Sequence, residues 1–388
     1  MSDVQIYEGA LDRGLEGVVA CSTAISTIAG STLLYRGYTI EDLAAHATFE
    51  EVVFLLWFGR LPGAEELARF QRQLDEAMPL PPQSFGWFHG LPTAVHPMDF
   101  LHAVVAGLSL HDPDSNVLTW DANIRKAVRL TARLSTIVAA YDRVRNGQWP
   151  LQPLPGRSLA WNFLYMLQGK EPSARRVRQL DTCLILHADH ELNASAFSAR
   201  VTSSTLSGLY SSVMAAIGTL KGELHGGANE QVMRMLLEVG SPKRLESYLD
   251  EALAARRKVM GFGHRVYKDG DPRAAILKRM SAELTAETGR PELYEMSAAM
   301  EEYMHERKGL IPNVDFYSAT VYYSMDIPID LFTPVFAASR VSGWCAHVLE
   351  QYQSNRIYRP RGRYVGPTDQ RYVPIEERSG EGAASPAR

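Results

Sequence analysis

Leu206-Ser207-Gly208-Leu209-Tyr210-Ser211-Ser212-Val213-Met214-Ala215-Ala216-Ile217-Gly218-Thr219-Leu220 is the stretch that decides the fold class. Its large apolar residues, Leu206, Leu209, Tyr210, Val213, Met214, Ile217 and Leu220, recur at the i, i+3, i+4, i+7 spacing of a helix face. Gly222 is placed to end the helix. Working outward, Leu245, Tyr248, Leu249, Ala252 and Leu253 repeat the pattern, which stops at Gly261 and Gly263. Phe49 to Phe58 reads as a short apolar helix closed by Gly59 and Pro62. Thr333-Pro334 reads as an N-cap and first helical residue, opening a helix that runs to about Gln351. Alternating strand patterns are rare, with Thr32 to Tyr38 the best candidate for a short hairpin. An all-α fold is expected. Two Pro-rich stretches, Met78 to Pro97 and Trp149 to Pro155, read as surface connections.

Composition narrows the function classes. Apolar residues form 46% of the 388-residue chain, enough for a sizeable core. The 40 basic and 44 acidic residues give a net charge of −4, which argues against a dedicated nucleic-acid binder. Cys21, Cys183 and Cys345 are far apart and odd in number, so a reducing compartment is the simpler reading. No secretory or transit signal and no membrane-length apolar run is evident, so the expected location is the cytoplasm.

Four segments concentrate chemistry. His187-Ala188-Asp189-His190-Glu191, read as helix, puts His187, His190 and Glu191 on one face. That spacing admits a metal site, a histidine pair of the core or helix surface, or an anion-binding role, although no second half-site for a metal stands nearby. Lys221-Gly222-Glu223-Leu224-His225-Gly226-Gly227-Ala228-Asn229 places His225 among small residues ahead of another helix. The glycines permit close approach of a substrate, and the helix N-terminus favours a neutral imidazole. An incidental histidine in a helix–helix turn has the same appearance.

Gly261-Phe262-Gly263-His264-Arg265-Val266-Tyr267-Lys268, continuing to Asp271-Pro272-Arg273, brackets His264 with glycines and puts cations behind it. Exposed amides with Arg and Lys suit a phosphate or carboxylate, and a solvated basic turn looks alike. Pro312-Asn313-Val314-Asp315-Phe316-Tyr317 sets one carboxylate among apolar neighbours, where burial makes it a stronger base. Either Asn313 or Asp315 could equally serve as a helix cap. Arg340 falls inside an apolar helix, where an arginine is rarely buried without an anion. Arg361 stands in the basic run Arg359-Pro360-Arg361-Gly362-Arg363.

Taken together and in order, these segments resemble the signature blocks of citrate synthases. The resemblance covers His187–Ser195, Leu224–Glu230, Gly261–Tyr267 with Asp271–Arg273, and Pro312–Tyr317. Gly14-Leu15-Glu16-Gly17-Val18-Val19 is similar to the family's opening, and Leu331 through Trp344 with Arg359–Arg361 to its closing blocks. The match runs from about residue 14 to about residue 377.

The resemblance implies a mostly helical fold with a large domain (1–225 and 321–376) and a small inserted domain (226–320); the small, polar, Gly/Ala/Ser-rich composition of residues 377–388 predicts a disordered tail. It implies a homodimer whose small domain closes over oxaloacetate before acetyl-CoA reacts. His225, His264 and Asp315 are the implied catalytic residues. Asp315 would take the methyl proton of acetyl-CoA, His225 would stabilise the enolate, and His264 would polarise the ketone of oxaloacetate. His190, Arg273, Arg340 and Arg361 match the dicarboxylate ligands, with Arg361 supplied across the dimer interface. Gly261, Phe262, Gly263 and Lys268 match the coenzyme A contacts. No metal or other cofactor is implied, acetyl-CoA being a co-substrate.

Glu223 departs from the family, replacing the Pro that many members carry before Leu-His-Gly. The extra N-terminal domain of the larger NADH-inhibited class is also missing, which counts against control by NADH. Three rivals are carried forward. A 2-methylcitrate synthase would use propionyl-CoA, and one methylene discriminates by only about 1–3 kcal/mol. Tyr372 to Arg378 looks more like the citrate-forming members. A non-catalytic regulator could keep the fold, and a metal-dependent hydrolase could use His187, Asp189 and His190.

Overall fold

The computed structural model describes residues 11–88, 90, 95–264, 267 and 270–378. The described residues fall into two compact units. One is the continuous run Thr23–Ile357; the other holds the described parts of the terminal segments, up to Ser22 and from Tyr358. In the terminal unit, single 3₁₀ turns form at Arg13–Leu15 and Ile375–Glu377. The tail expected from Glu377 onward lies outside the described residues after Arg378.

The Thr23–Ile357 unit is built from helices, as the all-α reading requires, with one small sheet beside them. At its centre runs the helix Phe332–Gln353, in which every residue from Phe332 to Leu349 is buried. A helix apolar on all sides belongs inside a protein. This one is sheathed by the helices Phe49–Phe58, Trp120–Arg145, Ala174–His187, Ala194–Ser204 and Leu209–Leu220. Its small residues let those neighbours approach closely. A Cβ at Gly343 would lie 2.3 Å from the Ala188 carbonyl oxygen.

Short polar side chains start many of the helices. Thr48 and Glu51 form a reciprocal capping box, and Ser158, Ser173, Asn193, Asp271 and Asn313 each accept a first-turn N–H. The helices Ala228–Val239, Pro272–Glu287 and Pro291–Lys308 pack with Val314–Ser324 into a second cluster. The expected hairpin forms as an antiparallel sheet of Ser26–Ala29, Thr32–Tyr35 and Tyr38–Thr39, with Ser26 opposite Tyr35.

Several local expectations are corrected. Leu206 lies outside the helix Leu209–Leu220, with φ 63° and 53% exposure, because Gly208 (φ 95°) starts that helix. The helix Leu245–Ala254 ends before Arg256 (φ 55°), well ahead of Gly261. Thr333 is not a cap: the helix starts at Phe332, and the Thr333 hydroxyl donates to the Gly226 carbonyl at 3.2 Å. The stretch Met78–Pro97 is not all surface, since Met78, Leu80, Ser84 and Phe88 are buried.

Candidate active site

A cavity of about 450 Å³ gathers most of the candidate residues. His190, Asn193, His225, Gly263, His264, Arg273, Asn313, Asp315, Phe336 and Arg340 line it. The walls come entirely from the Thr23–Ile357 unit. Arg361 is an exposed residue of the terminal unit. Lys268 lies outside the described residues.

The helix expected to carry both His187 and His190 stops at His187. The chain turns through Ala188–Asn193, and Glu191 takes a left-handed φ of 49°. His187 and His190 therefore do not share a helix face. The His187 ring is wholly buried; its Nδ1 lies 2.7 Å from the Cys183 carbonyl oxygen, which fixes the proton on Nδ1. His190 points the other way, its Nε2 3.3 Å from the Tyr267 hydroxyl and its ring 5.1 Å from that of His264. Burial, followed by the guanidiniums of Arg273 and Arg340, holds the His190 pKa well below the usual imidazole range. Among the described residues no group of three or more His, Cys, Asp or Glu is arranged to hold a metal ion.

His225 follows the helix Leu209–Leu220 in a tight turn where Gly226 N–H donates to the Leu220 carbonyl. A Cβ at Gly226 would lie 2.5 Å from that same carbonyl oxygen, so this glycine is sterically required. Ser195 N–H lies 3.3 Å from His225 Nε2 and the Ser195 hydroxyl 2.8 Å from it. A backbone N–H only donates, so Nε2 accepts and the ring proton sits on Nδ1. Burial, then Arg340, lowers the His225 pKa to about 4, so the ring is neutral near pH 7.

The Ser195 hydroxyl accepts from the Trp344 indole N–H at 3.0 Å. It also lies 2.8 Å from Asn193 Oδ1, the cap of the helix Ala194–Ser204. Neither Asn193 nor Ser195 is among the site residues expected from the sequence. An Asn-x-Ser at a helix start was the available signal.

His264 has the opposite tautomer. Tyr267 N–H donates to His264 Nδ1 at 3.1 Å, so its proton sits on Nε2. Burial, then Arg273, lowers its pKa. The glycines before it do a different task from open backbone approach. Gly261 carbonyl accepts from Asn313 N–H at 2.9 Å, Gly263 N–H donates to Ile311 at 2.9 Å, and Gly263 carbonyl accepts from the Asn313 amide at 3.1 Å. The Phe262 ring packs against that of Phe316, with centroids 4.6 Å apart and the planes tilted by 54°. At Gly261 (φ 81°) a Cβ would press within 2.7 Å of Val232. The Gly261–Gly263 run thus clamps the segment that leads into Asp315, and of the three only Gly263 lines the cavity.

Asn313, not Asp315, caps the helix Val314–Ser324, its Oδ1 accepting from Asp315 N–H at 3.1 Å. The Asp315 side chain is left for the cavity, and its buried Oδ1 has no hydrogen-bond partner among the described residues. Burial raises its pKa to about 7, against an opposing pull from Arg273. Arg273 is 2% exposed and forms a bidentate pair with Asp271 at 3.0 and 2.8 Å through Nε and Nη2. Arg340 donates Nε–H to the His187 carbonyl at 2.6 Å, and its guanidinium lies over Phe336. Two buried cations, two neutral histidines of opposite tautomer and one unpaired carboxyl therefore face one space. That set can bind a dianion, polarise two carbonyl oxygens and remove a proton.

A family model described as citrate synthase, C-terminal domain, matches residues 14–361. The chain belongs to the citrate synthase family. Members of the family are acyltransferases that convert the acyl group to alkyl on transfer. Citrate synthase 2 of Bacillus subtilis is 51% identical over 368 residues, covering 95% of this chain and 99% of its own. 2-Methylcitrate synthase 1 of Corynebacterium glutamicum is 40% identical, covering 98% of this chain and 100% of its own. Among solved structures, the ternary complex of carboxymethyl coenzyme A and oxaloacetate with the citrate synthase of Thermoplasma acidophilum superposes with a TM-score of 0.89. It is 34% identical and covers 95% of this chain and 100% of its own. No described helix is long and apolar enough to cross a membrane.

Proposed function

We propose that this cavity condenses acetyl-CoA with oxaloacetate and hydrolyses the resulting citryl-CoA to citrate and CoA. The carrying observation is the pair of opposed tautomers around one unpaired carboxyl. Asp315 Oδ1 has no competing partner among the described residues and takes a proton from the methyl group of acetyl-CoA. His225 directs Nδ1–H at the thioester oxygen, stabilising the charge that develops as the enolate forms. His264 directs Nε2–H at the ketone oxygen of oxaloacetate. The enolate carbon then attacks the polarised ketone carbon, the C–C bond forms, and water cleaves the thioester.

His190, Arg273 and Arg340 bind the two carboxylates of oxaloacetate, with Arg361 supplied by the partner in a homodimer. Gly261–Gly263 and Lys268 serve coenzyme A, the glycines also through the clamp on Asn313. The segments 1–225 and 321–376 form the large domain and 226–320 the small one. Cavity residues drawn from both sets support that division, since closure between them would exclude water from the thioester. The reaction calls for no cofactor beyond its co-substrate and suits a cytoplasmic enzyme.

The test is release of free thiol from acetyl-CoA by the purified protein, dependent on oxaloacetate. Absence of release from folded protein sinks the proposal. The same assay with propionyl-CoA addresses the second reading, which the 40%-identical 2-methylcitrate synthase favours. A kcat/KM higher for acetyl-CoA is expected; a strong propionyl-CoA preference would reassign the enzyme.

A further inference from the structure

Behind the cavity wall lies an ordered chain of buried polar groups that the proposed reaction does not use. His347 and Asp189 are fully buried and Arg200 is 2% exposed. Arg200 Nε lies 2.9 Å from His347 Nδ1. A guanidinium cannot accept a hydrogen bond, so Nδ1 accepts and the imidazole proton is on Nε2. That Nε2–H donates to Asp189 Oδ2 at 3.3 Å, and Oδ1 lies 3.2 Å from the same nitrogen without a hydrogen bond. From the other side the Ser26 hydroxyl donates to Asp189 Oδ2 at 2.5 Å and accepts from Glu191 N–H at 2.8 Å. At its outer end Arg200 pairs with Glu350, which also accepts from Ala24 N–H at 2.8 Å. The protons on Arg200 Nε, His347 Nε2 and the Ser26 hydroxyl lead toward Asp189, while Arg200 Nη2 donates outward to Glu350.

Asp189 sits in the turn that delivers two of the proposed oxaloacetate ligands. His190 is its chain neighbour. Arg340 is tied to the same turn through the His187 carbonyl. The backbone of Asp189 is gripped as well, its carbonyl accepting from the Tyr35 hydroxyl at 2.6 Å and its N–H donating back at 3.0 Å. The left-handed Glu191 that follows persists only where surrounding contacts over-determine it. Stability alone does not call for such a network, because apolar residues of similar volume stabilise a core equally well or better. A turn that must hold an imidazole and a guanidinium in register for a planar dianion does call for one.

We propose that Asp189 and His347 are positioning residues for the dicarboxylate substrate, the Arg200–His347–Asp189 chain fixing the turn that presents His190 and anchors Arg340. The inference rests on the reading of His190 and Arg340 as oxaloacetate ligands.

The test uses the full-length protein with His347→Leu, His347→Gln and Glu350→Gln. Oxaloacetate affinity is read without turnover, from the ligand-induced rise in Tm and by calorimetry, alongside kcat and both KM values. His347→Leu should weaken oxaloacetate binding by roughly tenfold or more, the loss of a hydrogen bond to a buried charge. It should leave the KM for acetyl-CoA within about twofold. His347→Gln, whose carboxamide can accept from Arg200 and donate to Asp189, should restore most of the affinity. Glu350→Gln, at the outer end of the chain, should raise the oxaloacetate KM by a few fold and carries the test if the leucine variant fails to fold. A folded leucine variant with unchanged oxaloacetate affinity overturns the inference. So does a loss shared equally by kcat and both KM values. If the unsubstituted protein neither binds oxaloacetate nor releases thiol, the proposed function falls first.

Discussion

Ser195 holds His225 in one tautomer: its backbone N–H and its hydroxyl both lie against the same ring nitrogen, at 3.3 and 2.8 Å. Ser195→Ala keeps the N–H and removes the hydroxyl that also seats the Trp344 indole. Its kcat should fall by roughly 10- to 100-fold, the scale of a misaligned catalytic hydrogen bond. The KM for oxaloacetate should hardly change. Steady-state kinetics with each substrate varied in turn checks the split.

Asp315→Asn removes the proposed base and should lower kcat by about 10³-fold or more. In the unsubstituted enzyme, activity should rise with pH through about 7, as the Asp315 carboxyl loses its proton. His225, with a pKa of about 4, stays neutral over that range.

The same carboxyl has an opposite effect on stability. Its folded pKa is about 7, above the ordinary aspartate value of 3.8, so the folded state keeps a proton that the unfolded chain has released. Stability from this group is therefore complete below about pH 4 and declines as pH rises to about 7. Asp315→Asn should be the more stable protein at pH 8, by the order of a few kcal/mol. Chemical denaturation at pH 5 and pH 8 should show the difference growing with pH.

The two cavity arginines should separate in stability. Arg340→Gln removes a proposed dicarboxylate ligand and should raise the oxaloacetate KM by roughly 100-fold. Arg273→Gln does the same and also strands the buried Asp271 carboxylate, which costs about 3–5 kcal/mol when a partner is removed. A clearly lower Tm is expected for the Arg273 variant than for the Arg340 variant.

Gly343→Ala tests the packing of the central helix on the 187–191 turn. The new methyl would stand 2.3 Å from the Ala188 carbonyl and 2.6 Å from Asp189 Oδ1. Relief requires movement of helix or turn, so stability should fall by about 1–3 kcal/mol. The oxaloacetate KM should rise together with the drop in Tm.

Helix positions were legible in the sequence wherever apolar spacing and a short polar cap agreed, as at Thr48–Phe58. His225, His264 and Asp315 were legible as a set, and the structure gathers all three around one cavity. Periodicity could not show that the helix ends at His187, because the break depends on Glu191 entering a left-handed conformation under tertiary restraint. The cap of Val314–Ser324 was ambiguous for a related reason. Asn and Asp serve equally well there, and only the backbone path assigns the task to Asn313. The supports of the site, Ser195 with Trp344 and Asp189 with His347, join residues about 150 positions apart, which no local pattern encodes.

The small sheet near the beginning of the Thr23–Ile357 unit carries one more implication. Ser26 and Tyr35 face each other across two strands, and each reaches the turn around Asp189, from 163 and 154 residues away in sequence. During synthesis the hairpin leaves the ribosome long before the turn it will hold. The substrate pocket therefore cannot mature segment by segment; it is completed only when the first strands of this unit meet helices made much later. Trimming this hairpin to shorten the enzyme, though it removes no residue that lines the cavity, would leave the pocket without its frame.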